Sequence, residues 1–372
     1  MPEAKLFEEA NRQLVICNAC RYCEGLCPVF RAIETRREFG KGDVFYLANL
    51  CHDCRACYYA CMFTPPHEFA VNIPRILSEA RVESYKEWSW PSFWARSFKE
   101  PRIATILAGG AALLVIVVAV ALIGSRRLFS RHEGPGALYE IVPYAAMVIP
   151  AVLLFTYGVA VWIRGTIQSW SECGRESEAP GEGVSGQALR EAIGAALSLR
   201  HLDGGGPGCT YPEERPSAKR RVYHSFVFWG FLCDFASTSL AFVYQDFLHI
   251  LPPYAVTSAP VIFGTVGGVL LITGSAGLIY CKWKSDRAPA VDRAYRMDYA
   301  FLFLLGLAAL TGLLTLLFRA TAALGSLLVL HLAVIAALFI TAPYGKFVHF
   351  LYRSVALVRY YAEQNQPEKI QP

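Results

Sequence analysis

Eight cysteines within the first 61 residues form two copies of one spacing pattern. Each copy reads CxxCxxCxxxC, and a constant offset of 34 residues relates the two copies. A fixed offset between identical spacings is typical of an internal repeat and not of chance enrichment. The repeated positions are Cys17, Cys20, Cys23, Cys27, Cys51, Cys54, Cys57 and Cys61.

This spacing is that of the ligand run in a two-cluster ferredoxin. Three thiolates at i, i+3 and i+6 can surround one [4Fe–4S] cluster, while the fourth cysteine of the run reaches the other cluster. We therefore expect two [4Fe–4S] clusters with crossed ligands. Structural zinc is the alternative, but zinc sites use two separated CxxC pairs and not an unbroken run. The expected ligand sets are Cys17, Cys20, Cys23 and Cys61 for one cluster, and Cys51, Cys54, Cys57 and Cys27 for the other.

The compartment and secondary structure of this amino-terminal region, residues 1–90, follow from the same pattern. Clusters are assembled from reduced thiols, which indicates a reducing compartment, and no signal-peptide pattern opens the sequence. We therefore expect a cytoplasmic domain. The segment REFGKGDVFYLANL between the repeats has helical spacing and no strand alternation, so the domain should be mostly helical.

The rest of the chain is too apolar for a soluble protein. Hydrophobic residues make up 54% of the 372 residues and charged residues only 17%. Six stretches are long enough to cross a bilayer as helices. The expected fold is therefore all-α, with a mostly helical two-cluster ferredoxin domain followed by a six-helix transmembrane bundle. The six stretches are residues 102–124, 139–163, 222–247, 258–281, 298–318 and 326–352.

The distribution of charge predicts how the bundle is oriented. If the first helix runs outward from a cytoplasmic domain, residues 164–221, the loop at 282–297 and the carboxyl terminus all fall on the inner side. Basic residues concentrate in these inner segments, as the positive-inside rule requires. The net charge of +5 then reflects anchoring to anionic headgroups, and no nucleic-acid partner is needed. The predicted units are helices 1–2 at 100–163, an inner loop at 164–221 and helices 3–6 at 222–360, in a multi-pass inner membrane protein with both termini cytoplasmic.

The inner loop has two parts. SECGRESEAPGEGVSG is typical of a flexible linker, and ALREAIGAALSLRHL has the pattern of a helix that ends at Gly204, Gly205 and Gly206. A glycine run of this kind, continued as GGGPGC, either stops a helix or forms a backbone nest for an anion. It is not a GxGxxG fingerprint following a strand.

Four histidines within the predicted membrane helices are candidate haem ligands, because coordinating side chains inside the bilayer are functional by default. His331 and His349 are 18 residues apart, which is five whole helical turns, so on one helix they share a face. His224 and His249 lie near opposite ends of the third helix. Since the third and sixth helices run in opposite directions, His224 is level with His349, and His249 with His331.

Two histidine pairs at two depths predict a cytochrome-b-like core with one or two b-type haems. Haem iron takes one imidazole on each face, and two facing helices can supply them. Each ring must be neutral, with its second nitrogen held by a carbonyl or hydroxyl. The alternative is that these are interhelical packing histidines.

Taken together, the segments CNACRYCEGLCPVF, LANLCHDCRACYYAC, PPHEFAVNIPR, GGGPGCTYPEE and APYGKFVHF resemble the tricarballylate (citrate) utilization protein B family over nearly the whole chain. The resemblance implies an iron–sulfur and b-haem protein that reoxidises the FADH2 of a companion tricarballylate dehydrogenase and passes electrons to the quinone pool. The chain also resembles half of a fused flavoprotein of cobalamin synthesis. Relatives place a histidine nearer position 245, which is Gln245 here.

The sequence also indicates a partner protein without reference to the family resemblance. Six helices and a ferredoxin domain leave no strand-rich segment to bind a flavin, so an organic substrate must be oxidised on a separate FAD-dependent dehydrogenase. Haems in the bilayer suit delivery to a lipid-soluble quinone. A redox sensor or regulator would keep the cysteines without paired histidines, and a passive membrane scaffold would need neither.

Overall fold

The structure is a computed structural model that describes residues 3–97, 101–173, 184–204, 206 and 208–365. It is mostly helical, with one two-stranded sheet among the described residues. The predicted all-α architecture is confirmed. The α-helices are α1 (Glu3–Cys20), α2 (Pro28–Glu34), α3 (Lys41–Leu50), α4 (Ala56–Ala60), α5 (Ile73–Glu87), α6 (Ser92–Ser97), α7 (Pro101–Ile123), α8 (Ser125–Leu128), α9 (Ala137–Ile141), α10 (Tyr144–Glu172), α11 (Gly186–Leu197), α12 (Lys219–Phe242), α13 (Ala259–Lys284), α14 (Asp292–Leu317), α15 (Leu324–Thr341) and α16 (His349–Gln364).

The amino-terminal domain is formed by α1 to α5, and local sequence signals explain its helix ends. Pro28 occupies the first turn of α2 directly after Cys27, where its missing N–H costs nothing. Asn72 caps α5 by accepting a hydrogen bond from the backbone N–H of Arg75. Since most of the repeat cysteines lie at such helix ends, their thiols project from turns and not from helix faces.

Helix α3 is the centre of this domain. Phe45, Leu47 and Leu50 are completely buried, and α1, α5 and α16 pack around them. Burial on every face explains why this segment shows helical spacing without a clear polar side. The helix predicted between the two cysteine repeats is confirmed.

Six helices among the described residues are long and apolar enough to cross a membrane, as predicted from the sequence. Helix α12 continues into one π-helical turn, Val243–Phe247. The start of α12 and the loop after α13 contact the amino-terminal domain, because Arg220 donates to the His52 carbonyl oxygen and Arg55 to that of Asp286. We call this face of the bundle the domain side. The six candidate spans are Ile106–Ile123, Tyr144–Glu172, Lys219–Phe247, Ala259–Lys284, Asp292–Leu317 and Leu324–Thr341.

The sixth predicted stretch, residues 326–352, is not one helix. Helix α15 ends at Thr341, a turn follows, a 3-10 turn spans Lys346–Val348, and α16 begins at His349. Pro343 explains the break, because proline lacks an N–H and clashes with the preceding turn. His331 and His349 therefore belong to different helices, and the argument that their 18-residue spacing puts them on one face is wrong.

Helices α12 and α13 approach each other closely through glycines. A Cβ atom at Gly230 would lie 2.9 Å from the backbone nitrogen of Leu271, and one at Gly274 would lie 2.8 Å from the carbonyl oxygen of Tyr223. Such close approach through small residues is how helices associate in a bilayer, where the hydrophobic effect does not drive them together.

The loop between α10 and α12 folds onto the amino-terminal domain. After α11 comes a 3-10 turn, Arg200–Asp203, and then a short hairpin in which Cys209–Thr210 pairs antiparallel with Pro216–Ser217. Gly208 has a φ of +115°, and a Cβ atom there would lie 2.9 Å from the Ser217 nitrogen. The described glycines thus make a tight turn into the hairpin. The predicted linker at 174–183 and Gly205 lie outside the described residues.

A buried ion network joins α16 to the amino-terminal domain. Arg36, whose side chain is 2% exposed, lies 2.7 Å from a carboxylate oxygen of Asp43 and 2.7 Å from one of Glu363. The hydroxyl of Tyr46 also donates to Glu363. Removing one partner of a buried pair leaves an uncompensated charge, which is strongly destabilising.

We expect Glu363→Gln to lower the stability of the amino-terminal domain by about 3 kcal/mol, because Arg36 loses a buried counter-charge. The matched control is Glu9→Gln, whose partner Arg12 is 42% exposed and whose ion pair should contribute at most about 1 kcal/mol. Thermal unfolding of both variants in detergent measures the difference. Equal shifts for the two variants would contradict this account of the interface.

Candidate cofactor sites

The first group of thiols combines cysteines from both repeats. Cys17, Cys20 and Cys23 of the first repeat line a cavity together with Cys61, the last cysteine of the second repeat. Apolar side chains, among them Phe30, complete the wall of this cavity. The structure therefore brings together the four side chains of the first predicted ligand set.

The second group contains the remaining four repeat cysteines. Burial raises the pKa of the Cys27 thiol, and the neighbouring Cys54 and Cys51 raise it further. Burial likewise raises the pKa of Cys57, which has Cys54, Cys27 and Cys51 as electrostatic neighbours. Cys27 thus lies among the thiols of the second repeat, as crossed ligation requires.

These thiols are held in surroundings that suit a bound cationic group. Burial raises the pKa of Cys17 to about 12 and that of Cys54 to about 12, so neither is a thiolate at neutral pH by itself. A metal group deprotonates the thiols that bind it and supplies the missing positive charge. Two sets of four neighbouring thiols, of which only Cys20 is exposed, therefore fit two iron–sulfur clusters.

Backbone groups around the cysteines support the same use. The N–H of Asp53 donates to the Cys51 sulfur at 3.4 Å, and the N–H of Phe63 donates to the Cys61 sulfur at 3.3 Å. Asp53 and Arg55, on either side of Cys54, have positive φ angles of 51° and 67°, so the chain turns tightly beside the second thiol group. Hydrogen bonds to cluster sulfurs are one of the means by which a protein sets a cluster's reduction potential.

Three arginines surround the second thiol group, and sequence reasoning did not identify them as part of a site. Arg81 and Arg353 both donate to the carbonyl oxygen of Cys51, at 2.5 and 2.9 Å. Arg220 donates to the carbonyl oxygens of His52 and Asp53. In the sequence Arg220 counts only as one of the basic residues that set topology. No local signal separates it from its neighbours.

The glycine-rich loop covers the same thiol group. The hydroxyl of Thr210 donates to the carbonyl oxygen of Cys54 at 3.2 Å. Cys209 is completely buried against Cys54 and Cys281, and its thiol donates to the Leu202 carbonyl at 2.7 Å. Cys209 and Thr210 therefore cover the second thiol group beside Cys54.

His224 and His349 face each other between the amino-terminal domain and the bundle. Their ring centroids are 6.2 Å apart and their planes are nearly perpendicular, at 82°. A metal lies about 2 Å from an imidazole nitrogen, and that nitrogen lies about 1 Å from its ring centre. Two imidazoles on opposite sides of one iron therefore have centres about 6 Å apart, so this pair fits bis-histidine ligation.

The expectation that the second ring nitrogen is held by a carbonyl or hydroxyl is met by His349 and not by His224. Nδ1 of His349 lies 2.8 Å from the Lys346 carbonyl oxygen and can donate to it, which leaves Nε2 for a metal. Burial lowers the pKa of His349 well below its usual value, and Lys346 and His224 lower it further. Nδ1 of His224 is buried and has no hydrogen-bond partner.

The other predicted pair is not brought together. His249 is exposed in the loop that follows the π-helical turn, with a φ of +55°, so it does not project from a membrane helix. His331 lies well inside α15, where its Nδ1 can donate to the hydroxyl of Thr311 at 3.0 Å. The equal-depth argument for His249 and His331 fails because α12 ends before His249.

Two histidines that the sequence left without a role lie beside the second thiol group. The rings of His52 and His201 are 5.7 Å apart, and His201 Nε2 lies 3.1 Å from the Tyr361 hydroxyl. Burial lowers the pKa of His201 to about 4, so it is neutral at physiological pH. His52 is adjacent to Cys51 in sequence, but its contact with His201, and that of His201 with Tyr361 on α16, depend on the tertiary structure.

Comparison with known proteins identifies the family of the chain and a Fer4-like domain at the repeat cysteines. Residues 96–369 match the family model described as Citrate utilization protein B, and residues 10–87 match the model of its Fer4-like domain. The chain belongs to the citrate utilization protein B family. A curated family member, Citrate utilization protein B of Escherichia coli, is 38% identical over 367 residues, which cover 98% of this chain and 93% of that protein. No solved structure matches the chain.

We expect anaerobically prepared protein to contain about eight non-haem irons, as two [4Fe–4S] clusters require. Cys61→Ser should disturb the cluster whose other ligands are in the first repeat. Combining it with Cys20→Ser should then remove no more than one cluster, whereas combining it with Cys54→Ser should remove both. Iron and labile-sulfide content measures this. The reverse pattern would indicate uncrossed ligands, and stoichiometric zinc without sulfide would exclude clusters.

We expect His224→Ala and His349→Ala to lose the same b-type haem, because each removes one axial imidazole from one iron. His249→Ala should retain full haem content and is the matched control. The α-band of the reduced protein and the extracted haem per polypeptide give the result. Full haem content in either of the first two variants would show that the 6.2 Å pair only packs.

Proposed function

We propose that this protein is the membrane electron-transfer partner of a separate flavoprotein dehydrogenase, and that it passes electrons from reduced flavin to the quinone pool. The observation that carries the proposal is the close connection between the second thiol group and the histidine pair. Arg353 donates to the Cys51 carbonyl oxygen, and it lies one helical turn after His349 on α16.

In this proposal the eight repeat cysteines hold two [4Fe–4S] clusters, and His224 and His349 hold a b-type haem. Clusters and haem supply one-electron transfer, which a single chain needs if it is to connect a two-electron flavin to a membrane acceptor. The protein's part is to fix the distances between these groups. Helix α16 fixes these distances because it packs against α3 in the amino-terminal domain and begins at His349, the proposed haem ligand.

The two thiol groups differ in exposure, and this difference supports a direction of electron flow. Cys20 is exposed, and the neighbouring Tyr22 and Met62 are 65% and 66% exposed, so the first group can be approached from solvent. Cys51 and Cys54 of the second group are buried beneath the arginines and the glycine-rich loop. A soluble flavoprotein would therefore deliver electrons at the first group, and the second group would connect it to the bundle.

Several features favour an electron carrier over a redox sensor. A sensor that displays clusters from a membrane needs no second cofactor site, whereas His224 and His349 are half-buried and have the ring spacing that two ligands of one iron would have. The family relative is named for citrate utilization, so the partner's substrate is expected to be a tricarboxylate such as tricarballylate or citrate. We place the protein in the cytoplasmic membrane, with the amino-terminal domain and both termini in the cytoplasm, where the basic loops lie.

The proposal can be tested with the flavoprotein that acts with this chain. In membranes that lack the chain, the dehydrogenase should still bind and oxidise one equivalent of substrate, but its flavin should then stay reduced. Wild-type protein and the His249→Ala control should restore flavin reoxidation by quinone, and His349→Ala should not. Flavin absorbance during turnover measures this. Unchanged quinone reduction without the chain would exclude the proposed role.

A further inference from the structure

A cavity of about 330 Å³ lies on the domain side of the bundle. Helix α5 of the amino-terminal domain closes it above, and α7, α14 and α15 form its walls together with the turn that follows α15. Gly109, Met297, Phe301, Tyr344, Lys346 and Phe347 are among its lining residues. Cavities of this size, with apolar walls and a few polar groups, are typical of small-molecule sites.

The walls of the cavity favour a flat, apolar ligand. Phe301 and Phe347 meet edge to face, with ring centroids 6.0 Å apart and planes at 71°. Phe347 also stacks on Trp162 at 5.3 Å, which fixes its orientation. Aromatic walls held in one geometry accept a planar ring by offset or edge contacts.

One end of the cavity is cationic. Lys346, which lines the cavity, lies 2.9 Å from a carboxylate oxygen of Asp298, and Lys282 lies 2.6 Å from the other oxygen. Two ammonium groups share one carboxylate, so the group keeps a net positive charge. An ammonium has three N–H donors, and the ion pair of Lys346 does not use them all. This end therefore suits a ligand that presents carbonyl oxygens.

The same residues connect the cavity to the histidine pair. The carbonyl oxygen of Lys346 accepts from Nδ1 of His349, and Phe347 is two residues from that histidine. A ligand between Phe347 and Lys346 would thus lie beside the proposed haem ligand. Gly109 of α7 and Ala300 and Phe303 of α14 line the cavity and are exposed, so its wall reaches the outer surface of the bundle between these helices.

We propose that this cavity is the quinone site, with the quinone ring against the wall that Phe301 and Phe347 form and one carbonyl oxygen accepting a hydrogen bond from Lys346. The inference rests on the proposed function and locates its acceptor. Conversion of one quinone to a quinol takes two electrons, supplied by one reduced flavin of the partner, and two protons, supplied by water on the domain side. Lys346 positions the ligand and is not assigned as the proton donor.

Two neighbouring glycines of α7 provide a matched test. Gly109 lines the cavity and Gly110 does not, and a Cβ atom at either position meets no atom within 4 Å. Gly109→Phe should therefore fill the cavity, while Gly110→Phe places the same side chain in the same helix outside it. Ala300→Phe fills the cavity from α14 and serves as a second variant if Gly109→Phe loses its clusters or haem.

The probe is a short-chain azidobenzoquinone, photolysed with the purified full-length protein in detergent. We expect labelled peptides from α14 or residues 342–347, and unlabelled quinone should compete for them. Gly109→Phe should weaken labelling at least about tenfold, which corresponds to about 1.4 kcal/mol of binding, whereas Gly110→Phe should stay within about twofold of wild type.

The outcomes separate this inference from the proposed function. Three results would each overturn the cavity assignment, even if the flavoprotein still reduces quinone through the chain. They are competed labelling at another place, labelling that unlabelled quinone does not displace, and equal effects of the two glycine variants. Competed labelling at the cavity without quinone reduction by the flavoprotein would instead preserve the binding site and exclude the proposed function.

Discussion

The turn between α15 and α16 is the constraint on which the rest of the structure depends. If the last membrane helix continued past Thr341, the chain would carry its final residues straight out of the bundle. Pro343 and the 3-10 turn at Lys346–Val348 redirect it instead, so that α16 lies against α3. This one change of direction places His349 opposite His224, and it also lines one wall of the domain-side cavity with Tyr344, Lys346 and Phe347.

The interface between the amino-terminal domain and the bundle also contains buried positive charge. Burial and the nearby Arg81 lower the pKa of Arg353, whose guanidinium donates to the Cys51 carbonyl oxygen. Arg220 donates to the backbone carbonyl oxygens of His52 and Asp53. Such groups are costly unless an anion compensates them. Cysteine thiolates around a cluster would supply that charge, so cluster assembly and docking of the domain are expected to be coupled.

Where α16 meets α2 and α3, buried charge is balanced in a different way from that at the second thiol group. Arg36 is balanced by two carboxylates from different parts of the chain, Asp43 and Glu363, and needs no cofactor. The interface is therefore balanced by protein charges alone at this end, whereas at the other end the proposed cluster would supply the compensating charge.

The sequence by itself determined the features that depend on local spacing. The cysteine repeat predicted which thiols meet, because a cluster ligand run is contiguous and the crossing follows from the size of the group it binds. Hydropathy predicted the membrane helices, because a bilayer requires about 20 apolar residues in a row. The basic residues in the loops then predicted that these loops lie on the same side of the membrane as the amino-terminal domain.

Only the tertiary structure decided what lies between these elements. The pairing of His224 with His349 was predicted, but from a continuous helix that does not exist, and the same argument failed for His249, where α12 ends early. Arg220, Arg353 and Lys346 had no distinguishing local pattern, since each acts through partners more than 40 residues away in the sequence. Helical periodicity predicts which residues share a face only within one continuous helix. Where the chain turns, contacts between distant segments determine the site.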